Sequence, residues 1–554
     1  MSSDSDKFIL EEALASQDND VFFNQKKWNY IVDATSNAGV FTNQIQFNLN
    51  TLASQGQWVN LSEAYIQFPI RTRIWNPTGS PQTPAAAGVL STVLKNGFHH
   101  MIDSVSIVLD NTTIQMNQNF ENVNATFKIL TEWDANQLSQ LAPTLGLSTI
   151  LDDFPSSGAA TGLNNLPLTT LVPSTRGFDL STSSNTAIPQ RQYEQNIDIT
   201  NATANVLNGI VGATNARNIG KSSVQSAGAT AVAAGADAYV QYVLATVRLS
   251  DLSDSISKLC PIKNLRGFVY VNYNGAQVNF TTNPASATIT SWSYSSIQGR
   301  SMPAMIQNVA TTGFQPNATN TNTWALECTV SGQTSSNLSS VQPPINYARL
   351  VAPYYSANPE IDSALSQSKK IYYNERFINN FTCGGNTSFN GTITPGIVNP
   401  KRLILVPYFN LQATTVATQS LTYQPYQSPF ETAPATTSVY PVLRNLQCTV
   451  GNVPMFLNPV NMDYETFLNE VSNIGIDGGQ NNELASGLLN QRLWSQLYRF
   501  YTIDISRRLT SEDGSSKGIQ ISFDNATNFP IQVFAFVLYE RQFTVDTASC
   551  TVSK

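Results

Sequence analysis

The sequence predicts an all-β protein built from two copies of one barrel, and three observations carry that prediction. Charged residues make up only 12% of the 554 residues and aromatics 10%, with Asn, Thr, Ser and Gln filling much of the rest, whereas helices favour Glu, Lys, Ala and Leu. Apolar and polar residues alternate in short runs, the period of a half-buried strand. A set of these runs recurs in the same order in the two halves.

In chain order, residues 1–25 form an acidic arm, with Asp4, Asp6, Glu11, Glu12, Asp18 and Asp20 set against Lys7. Such a segment is expected to order only against neighbouring chains or other proteins of the same assembly, losing its conformational entropy there. Alternation begins with Ile45, Phe47 and Leu49 against Gln44, Gln46 and Asn48. The second run, Trp58 to Ile74, sets Ile66, Phe68 and Ile70 against Gln67, Pro69 and Arg71; its proline lacks an N–H and predicts an edge strand or a bulge. Ile102 to Leu109 is a strand that turns at Asp110-Asn111 and returns through Ile114.

From 135 to 237 the chain is rich in Ser, Thr, Asn, Gly and Ala. An insertion of this length leaves the barrel at one end, where it is expected to form an outward-facing tower. A strand follows at Tyr239 to Leu249, then a short helix at Asp251 to Leu259 whose Asp and Ser residues can cap it, then a strand at Arg266 to Asn274. The second cycle has strands at Ile371 to Phe381, Pro400 to Pro407 and Leu443 to Val450, the last leading into the turn Gly451-Asn452. A helix capped by Asp463 is expected up to Val471, and Tyr498 to Ile505, Lys517 to Phe523 and Ile531 to Tyr539 close the barrel.

The repeat is ordered. Ile102 to Ile114 matches Leu443 to Met455, with Ile102/Leu443, Val105/Leu446, Ile107/Cys448 and Leu109/Val450 apolar and Asn111/Asn452 in the turn. Thr126-Phe127 then corresponds to Thr466-Phe467, Arg266-Gly267 to Lys517-Gly518, and upstream Phe68-Pro69 to Val406-Pro407. The expected architecture is two tandem eight-stranded jelly-roll barrels with long loop insertions and a few short helices. The arm covers 1–25, the first barrel 26–300 with the 135–237 insertion, and the second barrel with the C-terminal tail 301–554, the boundary lying in the 285–340 window. Ile45, Phe47, Ile107 and Leu109 should line one core, and Leu446, Cys448, Val450 and Val533 the other.

Charge and motifs exclude several function classes. A net charge of −7 and a pI near 5.0 argue against strong direct binding of nucleic acid, which needs clustered Lys and Arg. No apolar run is long enough for a transmembrane segment, and Met1-Ser2-Ser3-Asp4 opens neither a signal peptide nor a myristoylation site, so a soluble chain made in the cytosol is expected. Cys260, Cys328, Cys383, Cys448 and Cys550 are scattered without a C-x-x-C and read as reduced, mostly buried thiols. The only histidines, His99 and His100, would have to serve any Ser-His-Asp site, with Asp103 nearby, but no nucleophile elbow accompanies them. Asp110, Glu121, Glu132 and Asp134 are the carboxylates a glycoside hydrolase would need, though acids at turns and helix starts more often cap. No phosphate-binding loop is present. The sequence therefore assigns no catalytic, cofactor-binding or metal residue, expects no cofactor, and predicts that the chain is not an enzyme.

The segments Leu94-Lys95-Asn96-Gly97-Phe98 to Asp110-Asn111, Val247 to Leu252 leading through Cys260-Pro261-Ile262 to Arg266-Gly267, Asn399 to Ile404, and Tyr464 to Phe467 carry a resemblance. Through them, most of the chain from residue 30 onward resembles the double jelly-roll major capsid proteins of virophages and Polinton-like viruses, in the adenovirus-like lineage of icosahedral double-stranded DNA viruses. The resemblance implies a capsid building block in the virion, made and assembled inside the host cell. Its partners would be itself, neighbouring capsomers, and penton and minor or cement capsid proteins. Two similar barrels per chain and three chains place six around an axis, so a homotrimeric, pseudo-hexagonal capsomer is expected. The readings from other classes are a jelly-roll carbohydrate-binding or adhesin protein, which would bring an export signal and aromatic platforms, and a glycoside hydrolase.

Overall fold

The computed structural model describes residues 23–34, 41, 44–51, 56–82, 90–94, 97–116, 118–147, 223–224, 232–282, 289–296, 303–308, 322–332, 347–358, 362, 365–409, 442–472, 487–496, 498–506, 514–527 and 530–554. The N-terminal arm up to residue 22, and residues 148–222 of the insertion with the tower expected there, lie outside the described residues.

The first barrel contains β1 (Phe23–Val32), β2 (Gln44–Asn48), β3 (Trp58–Val59), β4 (Tyr65–Trp75), β5 (Leu90–Leu94), β6 (Ile102–Leu109) and β7 (Thr112–Gln115). After helices α1 (Glu121–Glu132) and α2 (Ala135–Leu141) come β8 (Ser223–Val224), β9 (Asp237–Arg248), the short helices α3 (Leu249–Leu252) and α4 (Asp254–Ser257), β10 (Ile262–Lys263) and β11 (Gly267–Tyr273). Its last strands are β12 (Ala276–Thr282), β13 (Ile289–Ser296), β14 (Ala304–Asn308), β15 (Asn322–Val330) and β16 (Arg349–Ala357). One wall runs β1-β16-β4-β9 and the facing wall β2-β11-β6-β7, all antiparallel.

The second barrel repeats that order. Its strands are β17 (Ser368–Cys383), β18 (Thr387–Val398), β19 (Pro400–Phe409), β20 (Leu443–Val450), β21 (Val453–Pro454), β22 (Tyr501–Asp504), β23 (Ser516–Asn525) and β24 (Ile531–Asp546), with β25 (Val552–Ser553) on the edge of β24. Helices α5 (Tyr464–Ser472) and α6 (Gln491–Gln496) lie between β21 and β22. Its walls are β17-β24-β19-β22 and β18-β23-β20-β21. Taking β15 and β16 together as one interrupted strand, the described residues of each barrel fill eight strand positions in the jelly-roll order.

Every pairing read from the sequence repeat falls on equivalent elements. Ile102 to Ile114 and Leu443 to Met455 become the hairpins β6-β7 and β20-β21. Both turn through positive φ, Asp110 and Asn111 at 43° and 64°, Gly451 and Asn452 at 55° and 69°, the geometry that matches strand twist in a two-residue loop. Thr126-Phe127 and Thr466-Phe467 sit on α1 and α5, and the Asp463 carboxylate accepts from the Thr466 N–H at 2.8 Å as an N-cap. The eight core residues named above are all buried, Ile45, Phe47, Ile107 and Leu109 in one cluster and Leu446, Cys448, Val450 and Val533 in the other.

Four expectations need correction. The boundary is not at 300/301, because β15 and β16 both hydrogen bond to β4 of the first barrel; by strand pairing the crossover falls at 358–367. The arm ends earlier than 25, since Phe23 already pairs with Ala357. The insertion begins as helix: Asp134 caps α2 with a capping box through Gln137. Pro69 lies on neither an edge nor a bulge but in central β4. There β15 pairs up to Ile70 and β16 resumes at Gln67, so the missing N–H coincides with the break in the neighbouring strand.

Candidate functional site: the seam between the barrels and the exposed face

The two barrels exchange parts. Helix α1 belongs by sequence to the first barrel, yet Phe120, Val123, Phe127 and Leu130 join the core of the second, where Phe127 meets Phe500 edge-on at 5.1 Å. In return Ile371, Tyr373, Phe543, Val545, Cys550 and Val552 from the second barrel complete the core of the first. The device that allows this is the β17-β24 pair, in register from Ser368↔Asp546 to Cys383↔Ile531. Its 16-residue strands extend about 50 Å at ~3.4 Å per residue, long enough to run through both cores.

Polar contacts close the seam. The Arg376 guanidinium on β17 pairs with the Glu121 carboxylate at the start of α1, where Glu121 has no solvent exposure. The neighbouring Glu375 carboxylate accepts from the Met116 N–H at 2.9 Å and the Tyr539 hydroxyl at 3.1 Å, and pairs with Arg541 at 3.0 Å. The Asn374 N–H donates to Asp254 at 2.6 Å, the Tyr373 hydroxyl to the Ile114 carbonyl at 2.7 Å, and Lys263 pairs with Asp362 at 2.9 Å. Near the end of α1 the Leu488 N–H donates to the Leu130 carbonyl at 2.8 Å. The preceding Gly487, at φ +64°, lies so close that a Cβ would stand 2.5 Å from the Thr131 backbone; only glycine permits that approach. The buried Arg376–Glu121 pair is costly to break singly, so it holds the seam between the two barrels closed.

A cavity of about 70 Å³ remains beside α1, lined by Lys128, Glu132, Asp254, Phe127 and Leu538 among others. Burial opposes charge on Lys128, but the carboxylates of Glu132, Asp254, Asp251 and Glu121 outweigh it and raise the ammonium above its ordinary value. The space suits a few waters, well below the ~300 Å³ of a small-molecule pocket.

The residues nominated for chemistry are in structural use. His99 and His100 are buried in a 3-10 turn ahead of β6. The Thr126 hydroxyl donates to the Asn122 carbonyl at 2.8 Å and stands 2.9 Å from His99 Nε2. With its one hydrogen spent, Thr126 accepts from the imidazole, which therefore acts as a donor there and not as a base. Burial holds the His99 pKa down to about 3. Asp103 lies on β6, half-buried, and Asp110 in the hairpin turn. Glu121 is held by Arg376, and Asp134 is a helix cap. Glu132 faces the seam cavity and the buried Arg402, whose pKa burial pushes down to about 9 against the charges of Glu132, Asp504 and Glu470. All five cysteines are free thiols; four are buried and Cys260 is partly exposed. Among the described residues no group of three His, Cys, Asp or Glu could hold a metal ion, and no helix is long and apolar enough to cross a membrane.

The outer face of β1 is the apolar surface that the sequence reading missed. Trp28, Tyr30 and Val32 point outward at 52%, 51% and 46% exposure. Lys26 lies 5.2 Å from both the Trp28 and Tyr355 rings and is anchored to Glu63 at 2.5 Å; Arg349 lies 5.6 Å over Tyr30. Among the described residues β1 pairs with β16 alone, so an edge and an aromatic stripe are presented together there, a surface of the kind that marks protein contacts.

Strand order and duplication define the class of fold, a double jelly roll. Among solved structures the chain is similar to a chain in the cryo-EM structure of the Sputnik virophage, with a TM-score of 0.50 and 12% identity over 96% of this chain and 88% of that one. It is also similar to the mavirus major capsid protein, at TM-score 0.47 and 10% identity over 95% and 89%, and to the Faustovirus major capsid protein, at 0.41 and 10% over 94% and 90%. At these identities the likeness is one of fold. No family model matches the sequence, and no curated protein does.

Proposed function

We propose that this chain is a major capsid protein, the structural building block of an icosahedral double-stranded DNA virus shell of the virophage and Polinton-like kind, and not a catalyst. The observation that carries the reading is the pair of like barrels fused into one body by exchanged core elements. Such a body can present two nearly equivalent sides, so three copies supply the six contacts of a pseudo-hexagonal tile. The fold shared with a chain of the Sputnik virophage supports it. The exposed stripe on β1 supplies apolar area for contact between subunits. In this reading the chain resides in the virion and meets neighbouring capsomers, penton proteins and minor capsid proteins.

Light scattering after size exclusion, followed by negative-stain electron microscopy, tests the proposal on the purified full chain. The expected result is a particle of three times the 60.4 kDa chain mass with a pseudo-hexagonal outline. Obligate contacts of that kind bury upwards of about 2,000 Å² per pair, so a stable monomer at micromolar concentration would overturn it.

A further inference from the structure

The contact that joins the two barrels of one chain has a counterpart whose two halves are both left bare. In the seam the donor is the segment that follows the β6-β7 turn, and the acceptor is β17, the edge strand of the second barrel. The Thr112 hydroxyl donates to the Val552 carbonyl at 3.2 Å, the Tyr373 hydroxyl to the Ile114 carbonyl, the Met116 N–H to Glu375, and Arg376 to the Gln118 carbonyl at 3.3 Å. Glu121, at the start of the helix that follows, then pairs with Arg376.

Each half recurs on the opposite barrel. The β20-β21 hairpin corresponds to β6-β7, so Val453, Met455, Leu457 and Pro459 stand after its turn where Thr112, Ile114, Met116 and Gln118 stand after the other. Here the segment is open to solvent, with Val453 57% and Leu457 97% exposed. The strand that corresponds to β17 is β1, since each lies at the edge of its wall beside β24 or β16. Its Trp28, Tyr30 and Val32 are half-exposed, an apolar patch with no cover. Two opposite charges are left over as well. Arg349, opposite Val32 in the strand register, donates to Gln67 and lies over Tyr30. Glu465 is exposed in the first turn of α5, which follows its hairpin as α1 follows β7. Among the described residues neither Arg349 nor Glu465 forms a salt bridge.

The bare donor is on the second barrel and the bare acceptor on the first. One further repeat of the step that carries the first barrel onto the second would therefore set the donor of one chain on the acceptor of the next. A head-to-tail contact of this kind is heterologous and closes into a ring when the rotation allows. We propose that Val453 to Pro459 of one chain dock on β1 of the next, Leu457 against Trp28 and Tyr30 and Glu465 toward Arg349, so that the contact between chains copies the contact within each chain. Trp, Tyr and Arg are the residues that dominate such interfaces. This docking rests on the capsomer reading and assigns the surfaces that meet in it.

The full chain carrying Cys260→Ser, Val32→Cys and Asn458→Cys tests it, because the four remaining cysteines are buried. Treated with a short bis-maleimide at low micromolar concentration, it should give covalent dimers and trimers on a denaturing gel, with 32–458 cross-linked peptides found by mass spectrometry. Leu457→Asp, without the added cysteines, places a carboxylate in an apolar contact. It should raise the concentration at which the trimer dissociates at least about tenfold, with the melting of the chain itself unaltered. A trimer by light scattering that yields no 32–458 product, a 32–458 product within one chain, or a trimer indifferent to Leu457→Asp would each overturn this docking and leave the capsid reading standing. A chain that stays monomeric would overturn both.

Discussion

Phe127→Ala is expected to loosen the barrel to which Phe127 does not belong by sequence. The ring lies on α1, 3% exposed, inside the second core against Phe500. Removing a fully buried phenylalanine forfeits about 1.5–3 kcal/mol of transfer free energy, an edge-to-face pair adds about 0.5–1.5, and the cavity left behind brings the total to about 3–5 kcal/mol. A 554-residue chain need not unfold in one step, so hydrogen exchange resolved by peptide is the suitable assay. Amides in β20, β22 and β23 should exchange faster by a factor corresponding to that free energy, while β6 and β11 keep their protection. If the added exchange were confined to β6 and β11, or if both barrels were unaffected, the exchange of core elements would not be what stabilises the second barrel.

Three other outcomes are expected. Glu121→Ala or Arg376→Ala alone should each cost about 3–5 kcal/mol in denaturant unfolding, because either leaves a buried charge unpaired, whereas Glu121→Leu with Arg376→Met should recover most of the loss; additive losses would refute the pairing. His99 is neutral in the folded chain, with a pKa near 3 against an unfolded value near 6.5. The unfolded state therefore binds the extra proton between those values, and this residue's contribution is intact above about pH 6.5 and lost as pH falls toward 3, at up to about 1.4 kcal/mol per pH unit. Comparing the pH dependence of urea midpoints for the parent and His99→Gln should show that slope reduced in the variant. Gly267→Ala, at φ +139° with its Cβ position 2.0 Å from the Val108 carbonyl oxygen, should separate β11 from β6 and cost more than about 2 kcal/mol in thermal unfolding; a melting point within a degree of the parent would refute it.

The parts of the fold legible in the sequence are those where one face is wet and the other dry. β6, β11, β20 and β23 alternate because each has one face in a core, and their hairpin turns carry Asn at positive φ. β1 escaped notice because its large residues, Trp28, Tyr30 and Val32, point outward and only Ile31 is buried among its neighbours. β18 is hidden by its Gly391, Pro395 and Gly396 and by register shifts at Thr392/Thr394 and Thr394/Ile397. The boundary was misplaced because β15 and β16 are one strand position interrupted in sequence, and only their shared partner β4 reveals the continuity. The seam was invisible for a similar reason: α1 has an ordinary amphipathic pattern, which says that one face is buried without saying in which barrel. Glu121 was weighed as a catalytic acid, and nothing local to it points to Arg376, 255 positions away.

The exchange of core elements sets a timetable for synthesis. Strand pairing of the first barrel needs nothing beyond Ala357, but its core still lacks Phe543, Val545, Cys550 and Val552. At about 5–20 residues per second a ribosome takes roughly 10–40 s to travel that distance. Throughout that interval the nascent first half carries an open apolar seam and α1 has no second core to enter. A polysome of this message would thus hold many half-closed barrels at once, each able to accept the missing strand from a neighbouring nascent chain, and the cell's holding chaperones are the expected safeguard against that error.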